Sequence, residues 1–144
     1  MSYETILYEK TDGVAVITLN RPERMNAFTD VMIREWASAL DDARLDRDVR
    51  AVIVTGNGRG FCAGADLRGG SGIGATAQGT APPAAAERRN WLRDGVHMVP
   101  RAVQLLDKPY IAAVNGSAVG AGMDMASMAD LRIASESAKF AMST

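Results

Sequence analysis

Ala51-Val-Ile-Val-Thr55, Gly56-Asn-Gly-Arg-Gly60 and Phe61-Cys-Ala-Gly-Ala-Asp-Leu67 follow one another without a break. The first run is β-branched with no polar alternation, the pattern of a strand covered on both faces. The glycines after it make a turn. They lack the Gly-Lys-Ser/Thr ending of a phosphate loop, and their spacing fits a plain turn. Residues with almost no side chain then lead to Asp66. The same order recurs downstream: Pro109-Tyr-Ile-Ala-Ala-Val114 is a second buried-type strand, Asn115-Gly116 a turn, and Val119-Gly-Ala-Gly-Met-Asp124 a second small-residue run ending in an acid. This strand, turn, small run and helix, occurring twice, predicts an α/β fold.

Outward from this core, Ile6–Glu9 and Val14–Leu19 are short apolar runs on either side of Thr11-Asp12-Gly13, a hairpin signal. Pro22 breaks regularity next. Met32, Ile33, Trp36, Ala37, Leu40 and Ala43 then recur at helical spacing, so residues about 30 to 45 form an amphipathic helix with Thr29 as its N-cap. Residues 69 to 86, rich in Gly, Ala, Ser, Thr and Pro, read as a mobile loop inside one domain. Glu87 to Leu106 is helical in composition, with Pro100 kinking it or starting a second helix. Met123–Ala129 reads as a buried helix and Leu131–Ala134 as a further strand.

Composition limits the function classes. The chain has 144 residues, 47% hydrophobic and 23% charged, with 16 basic against 17 acidic side chains, so no global basic field attracts nucleic acid or an anionic membrane. One cysteine, Cys62, forms no internal disulfide, and one histidine leaves few ligands for zinc; no metal site is expected. No run is long and apolar enough to span a bilayer, and Met1–Lys10 lacks a signal pattern. A reduced cytoplasmic protein is the expectation.

The two small-residue runs invite a chemical reading. Small side chains let a ligand approach the main chain, and the first turn of a helix has unpaired N–H groups and a partial positive charge. Two such N–H groups from separate segments, converging on one point, make an oxyanion hole. Gly and Ala after a strand also serve tight helix–sheet packing with no ligand at all, and the residues alone leave both readings open.

Six segments in order carry a resemblance: Asn20-Arg-Pro-Glu-Arg-Met-Asn-Ala27, Val49-Arg-Ala-Val-Ile-Val-Thr-Gly56, Gly60-Phe-Cys-Ala-Gly-Ala-Asp-Leu67, Lys108-Pro-Tyr-Ile-Ala-Ala-Val-Asn-Gly116, Gly120-Ala-Gly-Met-Asp124 and Ala129-Asp-Leu-Arg-Ile-Ala134. From about residue 5 onward the chain resembles the enoyl-CoA hydratase/isomerase (crotonase) family. The resemblance implies a crotonase-like spiral of repeated β-β-α units, of which this chain is the N-terminal part, stopping before the C-terminal helices. Members run to roughly twice this length, and Phe140–Thr144 falls where another strand and turn are due, so the remainder of a parent chain is expected elsewhere.

The family binds acyl-CoA thioesters and stabilises an enolate at the thioester carbonyl, with no cofactor beyond the coenzyme A of the substrate. The resemblance places the donors on the main-chain N–H groups of Ala65 and Ala121. Many relatives have glycine at the latter; alanine keeps the N–H available provided its φ is not forced positive. The thioester and pantetheine would run past Ala63, Ala65, Asp66, Leu67, Arg68 and Ala121, with the adenine end near Arg24 and Ala27. Arg24 reads equally well as a solvated charge. Asp124, one helical turn beyond Ala121, is the acid/base candidate where hydratases carry glutamate; otherwise it is an acid in a first helical turn. The second hydratase glutamate aligns with Thr144, a departure that argues against a carboxylate pair and towards an acid/base further along.

The implied function is hydration of a 2-enoyl-CoA, with assembly as a homotrimer or a dimer of trimers and a place in fatty acid metabolism. The alternatives are a Δ3-Δ2 enoyl-CoA isomerase, an acyl-CoA hydrolase or decarboxylase, and a non-catalytic acyl-CoA-binding module. His97 reads as structural or exposed, Cys62 as an inert buried thiol, Met123, Met125 and Met128 as core or acyl-pocket lining, and Asp130 as a cap or an arginine partner.

Overall fold

The computed structural model describes residues 2–68 and 84–142. Strands β1 (Ile6–Thr11) and β2 (Val14–Leu19) pair antiparallel. Asp12 and Gly13 between them both have positive φ, 53° and 83°, the mirror-image turn whose twist suits a hairpin. Helix α1 (Asp30–Leu45) follows. Its N-cap is Thr29, whose hydroxyl accepts the Met32 N–H at 3.2 Å. At the other end the Lys108 ammonium donates to the Ala43 and Asp46 carbonyls, both at 2.7 Å, where the helix leaves carbonyls unpaired.

Strand β3 (Ala51–Gly56) leads through a glycine turn to the short β4 (Gly60–Cys62). Helix α2 (Ala85–Trp91) passes through a π turn at Leu92–Val96 into α3 (Met98–Leu106). The predicted helix over 87–106 is therefore two helices and a widened turn. Pro100 is the third residue of α3, inside the first turn, where its missing N–H has no intrahelical acceptor to lose. The predicted loop over 69–86 lies outside the described residues from 69 to 83, and Ala85 and Ala86 belong to α2. Then come β5 (Tyr110–Val114), β6 (Ser117–Val119), α4 (Ala121–Ser127), β7 (Leu131–Ala134) and β8 (Phe140–Ala141).

Two sheets result. One has five strands in the order β1-β2-β3-β5-β7; the other has three in the order β4-β6-β8. Every pairing after the first hairpin is parallel. Each new turn of chain adds one strand to the first sheet and one to the second, so β3–β4, β5–β6 and β7–β8 are successive steps of one spiral. This is the spiral of repeated units that the resemblance implies.

The core lies between α1 and the larger sheet. Trp36, Met32 and Leu40 of α1 are wholly buried with Ile17, Val52, Val54 and Ala112 of the strands. The Trp36 indole N–H donates to the buried Tyr110 hydroxyl at 3.2 Å, which satisfies two polar atoms inside an apolar layer. Asp130 neither caps a helix nor meets an arginine. It accepts the Tyr110 N–H at 2.9 Å and donates its own N–H to the Tyr110 carbonyl at 2.8 Å, starting β5 and β7 in register.

Candidate active site

The second sheet brings the two small-residue runs together, because β4 pairs directly with β6 and each strand runs into one of them. The approach is close. A methyl group added at Gly122 would collide with the Cys62 carbonyl, and one added at Gly64 would stand 3.0 Å from the Val119 oxygen and 3.6 Å from the Ala121 nitrogen. The small residues are thus needed for contact between the segments, as the packing reading held.

They also do something packing alone does not require. Gly64 has φ +94° and Gly120 has φ 57° with ψ −125°, both in regions that side chains disfavour. Each glycine immediately precedes one of the predicted donors. The Ala65 N–H is freed by a parallel bridge: Phe28 donates to the Gly64 carbonyl at 2.8 Å and accepts from the Asp66 N–H at 2.9 Å. In such a bridge the residue between the two bonded neighbours turns its own N–H to the other side. Ala121 is the first residue of α4, where no intrahelical acceptor exists. Its φ is not among the positive ones, so the proviso attached to alanine is met. Among the described residues, no turn, loop or cap hydrogen bond takes the N–H of Ala65 or Ala121.

Beside Ala65 opens a cleft of about 300 Å³, lined by Arg24, Ala27, Ala63, Ala65, Asp66, Leu67 and Arg68, together with Glu23 and Met25. All the predicted thioester and adenine contacts except Ala121 therefore share one cavity. Asp66 lines it, but its carboxylate faces inward, with one oxygen on Arg21 at 3.0 Å and the other on the Arg68 N–H at 2.9 Å. Burial alone raises the Asp66 pKa. The Arg68 N–H, the Arg21 bond and charge and the nearby Arg24 outweigh it, and the carboxyl is held below the usual range. Asp124 sits in the first turn of α4, exposed, and does not line this cleft.

Of the other residues singled out, His97 is exposed where the π turn meets α3. The Cys62 thiol is pushed up to about 11 by burial, against a smaller lowering by the Gly64 N–H, which fits an inert thiol. Met125 is buried in the core, with Met123 and Met128 packed against it. Among the described residues, no cluster of three or more His, Cys, Asp or Glu is placed to hold a metal.

Sequence reasoning missed three residues that shape the site. Arg21 bridges the Ala27 carbonyl and Asp66. Asn26, wholly buried, accepts the Arg21 N–H at 2.8 Å and donates to the Asn57 and Gly60 carbonyls. Asn115 accepts the Gly56 N–H at 3.0 Å and donates to the Gly58 and Gly60 carbonyls. Together the two asparagines fix the turn that delivers β4.

The enoyl-CoA hydratase/isomerase family model matches residues 9–144. The chain belongs to the enoyl-CoA hydratase/isomerase family. It is 42% identical over 140 residues to a probable enoyl-CoA hydratase of Rhodobacter capsulatus, covering 97% of this chain and 49% of that protein. It is 41% identical over 139 residues to the 1,2-epoxyphenylacetyl-CoA isomerase of Escherichia coli, covering 96% and 50%. The crystal structure of an enoyl-CoA hydratase/isomerase from Xanthobacter autotrophicus superposes with a TM-score of 0.82 at 39% identity, covering 96% of this chain and 49% of that one. The chain spans about half the length of the curated relatives it matches.

Two outcomes follow from this geometry. Gly122→Ala forces α4 and β4 apart, and overpacking of this kind costs about 1–3 kcal/mol; urea midpoints of the variant and parent measure it, and equal midpoints would contradict the close contact. Asp66, with a folded pKa below its unfolded one, stabilises the fold above the unfolded value near ~3.9, and loses that contribution as pH falls through the folded value. Asp66→Asn is accordingly less stable than the parent at neutral pH, and the gap closes as pH drops from about 5 to below 4. Denaturant midpoints against pH read this, and a gap constant across the range would contradict it.

Proposed function

We propose that this chain supplies the thioester-binding half of an acyl-CoA enzyme that stabilises a thioester enolate, acting as an enoyl-CoA hydratase. The observation that carries the reading is the pair of main-chain N–H groups, on Ala65 and Ala121, that among the described residues no turn, loop or cap hydrogen bond takes, in segments whose glycines pack closely against each other. An α-proton beside a thioester is weakly acidic, and its removal places charge on the carbonyl oxygen. Two fixed dipoles at that oxygen lower the barrier, and losing one donor typically costs ~3 kcal/mol. The cleft of Arg24, Ala27 and residues 63–68 takes the rest of the acyl-CoA, its arginines suiting an anionic cofactor end.

The acid/base assignment belongs to the same proposal. Asp124 would serve only from an exposed position, and that position favours a second reading, double-bond isomerisation with the proton-transferring group on another segment. Crotonyl-CoA and a 3-enoyl-CoA separate the two: a hydratase consumes the first by adding water, an isomerase converts the second to its conjugated isomer. Assembly as a homotrimer or dimer of trimers, a cytoplasmic location and a role in fatty acid metabolism rest on the family resemblance and are proposed with it. Among the described residues, no helix is long and apolar enough to cross a membrane.

The direct test removes one donor without adding bulk. Replacing the Gly120–Ala121 amide by an ester in the complete polypeptide should lower kcat about 100-fold with either enoyl-CoA. An unchanged kcat would remove Ala121 from the mechanism.

A further inference from the structure

The wall of the cleft that carries Ala65 is held from one side by a single arginine. Arg21 stands just before the Pro22–Arg24 turn, with its side chain only 17% exposed, and its guanidinium bridges two acceptors on different segments: the Ala27 carbonyl and Asp66 Oδ2. Those acceptors flank the Phe28–Ala65 bridge, which is the sole β-pairing of the 64–66 segment to the 27–28 segment among the described residues. The second oxygen of Asp66 takes the Arg68 N–H, closing a tight turn over Leu67. The Ala65 amide therefore sits between two clamps, one formed by the backbone and one by this ion pair. Arg21 does not line the cleft, and both oxygens of the Asp66 carboxylate are engaged within the fold.

We infer that Arg21, through Asp66, is a positioning residue that sets the direction of the Ala65 N–H, and so acts on the reacting thioester oxygen without touching it. This rests on the reading of Ala65 as an oxyanion donor. A planar guanidinium spans both acceptors at once, whereas a lysine ammonium, a point charge on a flexible stem, does not reproduce the fork. Misplacement of a transition-state donor by about 1 Å costs up to about 100-fold in rate while leaving most ground-state binding in place.

The test compares Arg21→Ala and Arg21→Lys with the parent in the complete polypeptide, using crotonyl-CoA or a 3-enoyl-CoA, whichever the parent turns over. Both variants are expected to lose about 10- to 100-fold in kcat with KM within about threefold, and methylguanidinium at millimolar concentration should restore part of the kcat of Arg21→Ala. Arg21→Lys keeps the stem and charge and serves if the alanine variant does not fold. Unchanged kcat in a folded variant, a rise in KM alone, or methylguanidinium raising the thermal midpoint without raising kcat would overturn the inference. Ester replacement of the Gly64–Ala65 amide separates the two levels. If it leaves kcat unchanged, the donor reading of Ala65 fails; if it lowers kcat while both Arg21 variants remain fully active, only the positioning role fails.

Discussion

The proposed site depends on how closely two glycine-bearing turns approach each other. Gly122 lies so close to the Cys62 carbonyl that no side chain fits, and Gly64 stands tightly against Val119 at a positive φ that side chains disfavour. That approach is set by the parallel pairing of β4 with β6, itself one step of a spiral in which β3, β5 and β7 of the larger sheet are each followed by a strand of the smaller. The energetic burden falls on the scaffold. Two glycines adopt backbone angles that residues with a side chain disfavour, and two asparagines use their amides to pin the 56–60 turn. Among the described residues, the N–H groups of Ala65 and Ala121 are taken by no turn, loop or cap hydrogen bond.

The proposed site is built from main chain, and this shapes how substitutions are expected to act. At Ala65 and Ala121 the side chain is a methyl group, so most replacements there change shape and access rather than chemistry. The residues whose side chains matter stand one layer back. Arg21 and Asp66 tie the donor segment to the 20–28 segment, while Asn26 and Asn115 hold the turn that precedes it. In the proposed site the work is thus divided, with donors from the backbone and control from buried polar side chains.

Much of the fold was legible because its signals are local. The Asp12-Gly13 turn, the Thr29 cap with its 3.6-residue periodicity, and the unalternating β-branched run at Ala51–Thr55 each dictate one element independently of the rest. The break between α2 and α3 was legible only as a choice, since Pro100 fits either a kink or a first turn and the π turn before it has no composition signature. At the site, glycine and alanine runs announced close approach but not which atoms meet. Arg21 was missed because an arginine before a proline looks like a solvated turn residue until Asp66, 45 positions away, is seen facing it. Asp124 was legible as far as its place on the helix: the spacing puts it one turn beyond Ala121, as found, but says nothing of its exposure, and it stands exposed beside rather than in the cleft of residues 63–68.

The oxyanion claim concerns hydrogen bonds to one oxygen, and vibrational spectroscopy reads those bonds without turnover. Isotope-edited infrared spectra of butyryl-CoA, labelled with carbon-13 at the thioester carbonyl and bound to the complete polypeptide, should show the carbonyl stretch at lower frequency than in water, since two fixed donors polarise the bond more than mobile solvent does. A bound carbonyl absorbing at or above its frequency in water would contradict the account.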